Sequence, residues 1–203
     1  MHAQTANPDQ ALIRAAAKGD ELEVKKLLAA GASVTARDER MRTALLAATQ
    51  GNHVTIAAAL IAKGADVNAQ DDIQDSAFLL AGASGYLEIV RLCLGAGADL
   101  KSRNRYGGTA LIPACHHGHL ETVRELLKTR IDVNHVNNLG WTALLEAVIL
   151  GDGGRTHTEI VRELITHGAQ VNLADRDGVT PLAHARRRGF REMAGLLETA
   201  GGR

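Results

Sequence analysis

The sequence predicts an all-α solenoid: six stacked repeats, each a helix-turn-helix followed by a β-hairpin-like finger, with capping repeats at both ends. Three observations predict it. Residues recur at a step of 33 along the 203-residue chain, apolar residues keep helical spacing, and glycine punctuates each unit twice.

Ala15, Ala48, Ala81, Ala114 and Ala147 follow one another at 33, and Ala185 follows at 38. Leu12, Leu45, Phe78, Leu111, Leu144 and Leu182 form a second column, and Thr43, Ser76, Thr109, Thr142 and Thr180 a third. The step of 38 marks a five-residue insertion, Asp152 to Thr156, expected in an exposed loop beside Ile149 and Leu150.

In every unit but the first, where Gln10 stands in that column, the Thr or Ser caps a first helix, its hydroxyl accepting a free backbone N–H. Gly19, Asn52, Gly85, Gly118, Gly151 and Gly189 end that helix in a left-handed conformation. A second helix follows, with Leu120, Val123, Leu126 and Leu127 on the apolar face of the fourth. Gly31, Gly64, Gly97, Gly168 and Gly201 end five of the second helices. The fourth unit has Arg130 there, so Arg130 is expected to be left-handed. The chain then runs extended through a polar turn, the finger, to the next Thr. Met41 and Gln74 replace the finger glycine in two units, so those turns are expected to differ in shape.

Thr180-Pro181-Leu182, Gly118-His119-Leu120-Glu121, Gly64-Ala65-Asp66-Val67-Asn68 and Asp177-Gly178-Val179-Thr180 resemble the ankyrin repeat, and Gly140-Trp141-Thr142-Ala143-Leu144-Leu145 resembles small bacterial ankyrin-repeat proteins. The resemblance covers about residues 9–201 as one domain after a flexible tail, 1–8. The repeats run at about 5–37, 38–70, 71–103, 104–136, 137–174 and 175–203. The resemblance implies L-shaped units stacked through their faces, with polar caps formed by the charge-rich first unit and the Arg-rich last one. The family's His is replaced by Ile13, Leu46, Leu79, Ile112, Leu145 and Ala183, so the inter-repeat bonds that His makes are expected to give way to aliphatic packing.

Composition narrows the function. Hydrophobic residues are 45%, and 23 Lys/Arg balance 23 Asp/Glu, which excludes a disordered tail and argues against a general polyanion binder. No stretch is long and apolar enough for a membrane span. Cys93 and Cys115 read as buried small hydrophobes; whether they can pair depends on whether their helices adjoin. The N-terminus carries no export signal as written, yet it is short, small and polar like the remnant of a trimmed leader, so the compartment stays open.

No nucleophile, phosphate-loop or metal constellation converges, so no catalytic residue, cofactor or metal is expected. His116, His117 and His119 cluster as H-H-x-H without a Cys or carboxylate at metal spacing. The resemblance implies a protein partner held by finger tips and first-helix ends, which line a concave face. Those columns supply Arg40, Arg42, Ile73, Asp75, Arg105, Tyr106, His116, His117, Leu139, Trp141, Ile149, Leu150 and Arg176. An apolar and aromatic centre with a charged rim has the composition of a binding hot spot. The reading is a monomeric, non-enzymatic scaffold that inhibits, sequesters or escorts a protein partner, with no small-molecule substrate. The alternative is nucleic-acid binding through the finger arginines.

Overall fold

The computed structural model describes residues 7–203, so most of the expected tail lies outside the described residues. Pro8 already belongs to the first helix, capped by the Asn7 side chain. The described residues form twelve helices and no strand. They pair in order: α1 (Pro8–Lys18) with α2 (Glu21–Ala29), α3 (Ala44–Gln50) with α4 (Val54–Ala62), and α5 (Ala77–Ser84) with α6 (Leu87–Gly95). Then come α7 (Leu111–His116) with α8 (Leu120–Leu127), α9 (Ala143–Ile149) with α10 (Arg155–Thr166), and α11 (Pro181–Arg187) with α12 (Arg191–Thr199).

The chain divides into two compact units. One runs to Ala81 and includes Glu88–Asp99; the other comprises Gly82–Leu87 and Leu100–Arg203. In the first, α1 packs on α2 and α3, and α4 on α2 and α3. In the second, α9 packs between α7 and α11, and α10 between α8 and α12. First helices thus stack on first helices and second helices on second. One pair alone cannot bury its apolar face, and stacking supplies the missing cover. The Leu12-to-Leu182 column is buried throughout, and the Ala15-to-Ala185 column lies beside it, where small side chains let helices approach. The aliphatic residues standing for the family's His are buried from Ile13 to Leu145. Cys93 and Cys115 are buried free thiols, and burial pushes Cys93 up to about 12.

Thr43, Ser76, Thr142 and Thr180 cap their helices as expected, each hydroxyl accepting the amide three residues on. Thr109 does not. In the capped units the fourth residue donates its amide to the Thr or Ser carbonyl. Here that residue is Pro113, which has no N–H. Ile112 donates to the Thr109 carbonyl instead, at 3.3 Å, and the Thr109 hydroxyl is left buried without a partner.

Four more expectations are corrected. Met41 and Gln74 adopt φ of 59° and 64°, and their turns match those at Gly107, Gly140 and Gly178. Arg130 is not left-handed. Helix α8 stops early, and the Thr129 hydroxyl donates to the Leu126 carbonyl and accepts from the Ile131 amide. The insertion is only partly a loop, since Arg155 and Thr156 begin α10. Gly153, not Gly151, takes the left-handed conformation there.

Candidate functional site

The fingers carry no strand, yet each is tightly bonded. Asp38, Asp71, Asn104, Asn137 and Asp175 recur at the repeat step, a column the motif reading passed over. In every one the side-chain Oδ1 accepts the backbone amides two and four residues on. The same residue's amide donates to the carbonyl four ahead. This Asx cradle holds the tip residue in place without a sheet. It also explains why Met41 and Gln74 tolerate positive φ: the cradle closes around them. Neighbouring fingers are joined through the main chain, Asp72 to Arg40 in the first compact unit and Asn138 to Tyr106 in the second.

The far side-chain atom of this column reaches the first helix where it can. Asp175 Oδ2 meets His184 Nε2 at 2.6 Å, and Asn137 Nδ2 donates to Glu146 Oε1 at 2.9 Å. Asp38 Oδ2 pairs with Arg42. Asp71 Oδ2 is buried with no partner.

Within each compact unit, first-helix ends are stitched by rings at one repeat position, His53 in the first and His119, His157 and Phe190 in the second. A Cβ on Gly19, Gly85 or Gly153 would run into the ring of His53, His119 or Phe190, so each ring lies over the left-handed glycine one unit earlier. His157 Nε2 also bonds the His116 carbonyl at 2.9 Å. Phe190 has no ring N–H, and Arg188 takes over, donating to the carbonyls of Ile149 and Gly151 while lying 4.6 Å over the Phe190 ring.

The expected binding residues fall into two groups. In the first compact unit, Arg40 is exposed with its Nε 4.0 Å from Asp72, and Ile73 is exposed at the finger tip. Arg42 is held down by Asp38 and by Gln50 at 2.8 Å. Asp75 is half-buried, its amide bonded into the Asp71 cradle.

In the second compact unit, Tyr106 is 51% exposed, Leu139 46% and Leu150 40%. Trp141 and Ile149 are partly exposed. The Arg105 guanidinium lies 4.7 Å over the Tyr106 ring, and His116 and His117 stack with centroids 4.2 Å apart. Arg176 donates to the Asn138 carbonyl, beside Leu139.

Beneath this group lies Glu146, a buried carboxyl that the sequence did not single out. Burial pushes it up to about 7, with the Asn137 bond opposing. His116 Nδ1 stands 3.9 Å from its Oε2; burial, then the neighbouring His117 and His157, holds that imidazole below its usual range. No group of three metal-ligating side chains converges among the described residues. No helix among them is long and apolar enough to cross a membrane.

Helix pairs joined by cradled fingers, stacked first on first and second on second, define a repeat scaffold of the interaction-module class. The chain belongs to the ankyrin-repeat family. The family model described as ankyrin repeats (3 copies) matches residues 1–71 and 78–154, and the single ankyrin repeat model matches 139–176. A solved ankyrin repeat domain from Acinetobacter baumannii AYE is 57% identical, with 95% of this chain and 98% of that one covered at a TM-score of 0.92. A solved ankyrin repeat protein from Enterococcus is 39% identical, with 94% and 97% covered at 0.90. The Escherichia coli (strain K12) ankyrin repeat protein YahD is 52% identical over 56 residues, 28% of each chain. Ankyrin repeats are in general protein–protein interaction modules, and the family and its structural neighbours are non-catalytic scaffolds.

Proposed function

We propose that this chain binds a protein partner through its finger tips and first-helix ends, and acts by occupying the partner's surface, as an inhibitor or an escort does. One observation carries the reading. Tyr106, Leu139 and Leu150 are large apolar side chains left open to solvent in one compact unit, next to the partly exposed Trp141 and Ile149. Solvent-facing columns that spend apolar area together mark interaction sites. The backbone beneath is already fixed by the Asn104 and Asn137 cradles. Little ordering entropy is therefore lost on binding. Arg40, Arg42, Ile73 and Asp75 belong to the same columns in the first compact unit and extend the reading to it.

The experiment is affinity capture from cell extract by the full chain, with Leu139→Ala and Trp141→Ala as controls. Each variant is expected to lose the captured protein while keeping its melting temperature within a few degrees. Capture that survives both substitutions would refute the surface.

A further inference from the structure

We propose that Glu146, beneath the face carrying Leu139, Trp141, Ile149 and Leu150, receives one basic side chain of the protein partner, an arginine or a lysine, on its Oε2. The inference rests on the binding face argued above and names the group that the partner inserts into it.

Repeat position places the residues. In the second repeat the finger residue Arg42 bonds the first-helix residue Gln50 at 2.8 Å. Trp141 and Ile149 hold those two positions in the fifth repeat, finger facing helix end. Glu146 lies one turn before Ile149 and Leu150 on α9, on the same side of the helix. Its position is Ala47, Leu80 and Pro113 in the three preceding repeats, so an ionisable group stands here where an apolar one is usual.

That carboxyl has a spare oxygen. Its side chain is only 8% exposed. Oε1 accepts from Asn137 Nδ2 at 2.9 Å, and the Oδ1 of the same Asn137 holds the amides of Leu139 and Trp141. Among the described residues no donor comes within hydrogen-bond distance of Oε2, which keeps contact with solvent. His116 Nδ1 stands 3.9 Å away, and its imidazole, held below the usual range by burial and then by His117 and His157, is largely neutral at pH 7. The matching pair of the last repeat closes on itself, Asp175 Oδ2 on His184 at 2.6 Å, so tying a finger to its helix requires no spare acceptor.

The buried charge, not the rim, sets the chemistry. Exposed charges of both signs flank the face, Arg176 and Arg188 against Asp152 and Asp177, and such charges are screened. A partner covering Leu139 and Trp141 strips the remaining water from Glu146, and a carboxylate dehydrated without a cation is costly. A guanidinium or ammonium group supplies the missing donor and the opposite charge, while its aliphatic stem packs on the apolar side chains around it. A nucleic-acid phosphate has the wrong sign for this position.

The test is selection of a random peptide display library lacking histidine on the full folded chain. The consensus peptide is then synthesised and its affinity measured by fluorescence anisotropy. Enriched peptides are expected to carry an arginine or lysine flanked by apolar residues. Glu146→Gln, which keeps an acceptor for Asn137, is expected to weaken the consensus about tenfold. Exchanging the basic residue of the peptide for norleucine should weaken wild-type binding as much, yet add little to the loss in Glu146→Gln. The cation favours the ionised carboxyl, which burial pushes up to about 7, so affinity should rise about fourfold from pH 6.5 to pH 8 and stay level in Glu146→Gln. Of the other titratable groups on the helices packed against α9, Cys115 is a buried thiol, His157 bonds Asp152 at 2.8 Å, and the acids of α10 pair with Arg124 and Arg162. His184 is tied to Asp175, and Arg155, Arg186 and Arg187 stay charged throughout. Circular dichroism checks that the variant is folded. Enriched peptides without a basic residue, no enrichment, or equal affinity for Glu146→Gln and wild type would overturn the proposal. If Leu139→Ala still abolished binding in that last case, the binding face would stand and only the basic anchor would fall.

Discussion

The Thr129 hydroxyl accepts the amide of Ile131 at 3.1 Å while donating to the carbonyl of Leu126 at 2.6 Å. In other units the equivalent amide, that of Ala32, Ala65, Ala98 or Ala169, donates directly to the helix carbonyl, and a left-handed glycine makes this geometry reachable. The fourth unit has no glycine at that point, and a side chain bridges the gap.

Thr129→Ala is therefore expected to destabilise the protein by about 1 kcal/mol, the usual worth of such a bond. Adding Arg130→Gly should recover most of the loss, because the direct bond can then form. Arg130→Gly alone should bring no gain, since Arg130 is unstrained. Denaturant midpoints of the three variants check this, and a stabilised single Arg130→Gly would contradict it.

Met41 and Gln74 hold positive φ with a β-carbon, which costs about 1–2 kcal/mol each. Glycine at either position is expected to raise stability by roughly 0.5–1 kcal/mol after its greater unfolded-state entropy is subtracted. The two fingers are joined by the Asp72–Arg40 bond and through Arg37 and Gln70, so the double variant is expected to depart from the sum of the single gains. Thermal unfolding of both single variants and the double variant measures them.

Thr109 and Thr142 occupy the same column with opposite consequences. Thr142 caps α9, so Thr142→Val should cost about 1 kcal/mol. The Thr109 hydroxyl is buried without a bond, so Thr109→Val should stabilise by about 1 kcal/mol. Opposite shifts of the unfolding midpoint are expected, and a loss at both positions would show that Thr109 finds a partner.

Glu146 makes stability depend on pH. Its folded value, about 7, lies above the 4.5 of a free glutamate, so the folded state holds more protons between those values and stability falls as pH rises through that window. The shift corresponds to a loss of roughly 3 kcal/mol, complete above pH 7. Glu146→Gln keeps an acceptor for Asn137 and removes the charge, so it should flatten the decline and be the more stable form at pH 8. Unfolding free energies measured from pH 4 to pH 9 decide it; parallel curves for the two proteins would contradict the assignment.

Much of the fold was legible in the residues. The columns of Leu, Ala, Thr and Gly each answer a local demand: a buried contact, a close helix approach, a cap, a left-handed turn. A 33-residue period repeats those demands, so the helix pairs, their caps and their buried faces followed from spacing alone. What failed did so where a neighbour changed the local rule. Pro113 removes the amide that lets Thr109 cap, Thr129 supplies the bond that spares Arg130, and the finger cradles impose positive φ on Met41 and Gln74. The exposure of Leu139, the burial of Glu146 and the placing of Arg188 on the carbonyls of Ile149 and Gly151 belong to tertiary structure alone. Each depends on which side chains from other elements converge on it in space, and a repeat pattern read along one chain carries only the positions, not the contacts.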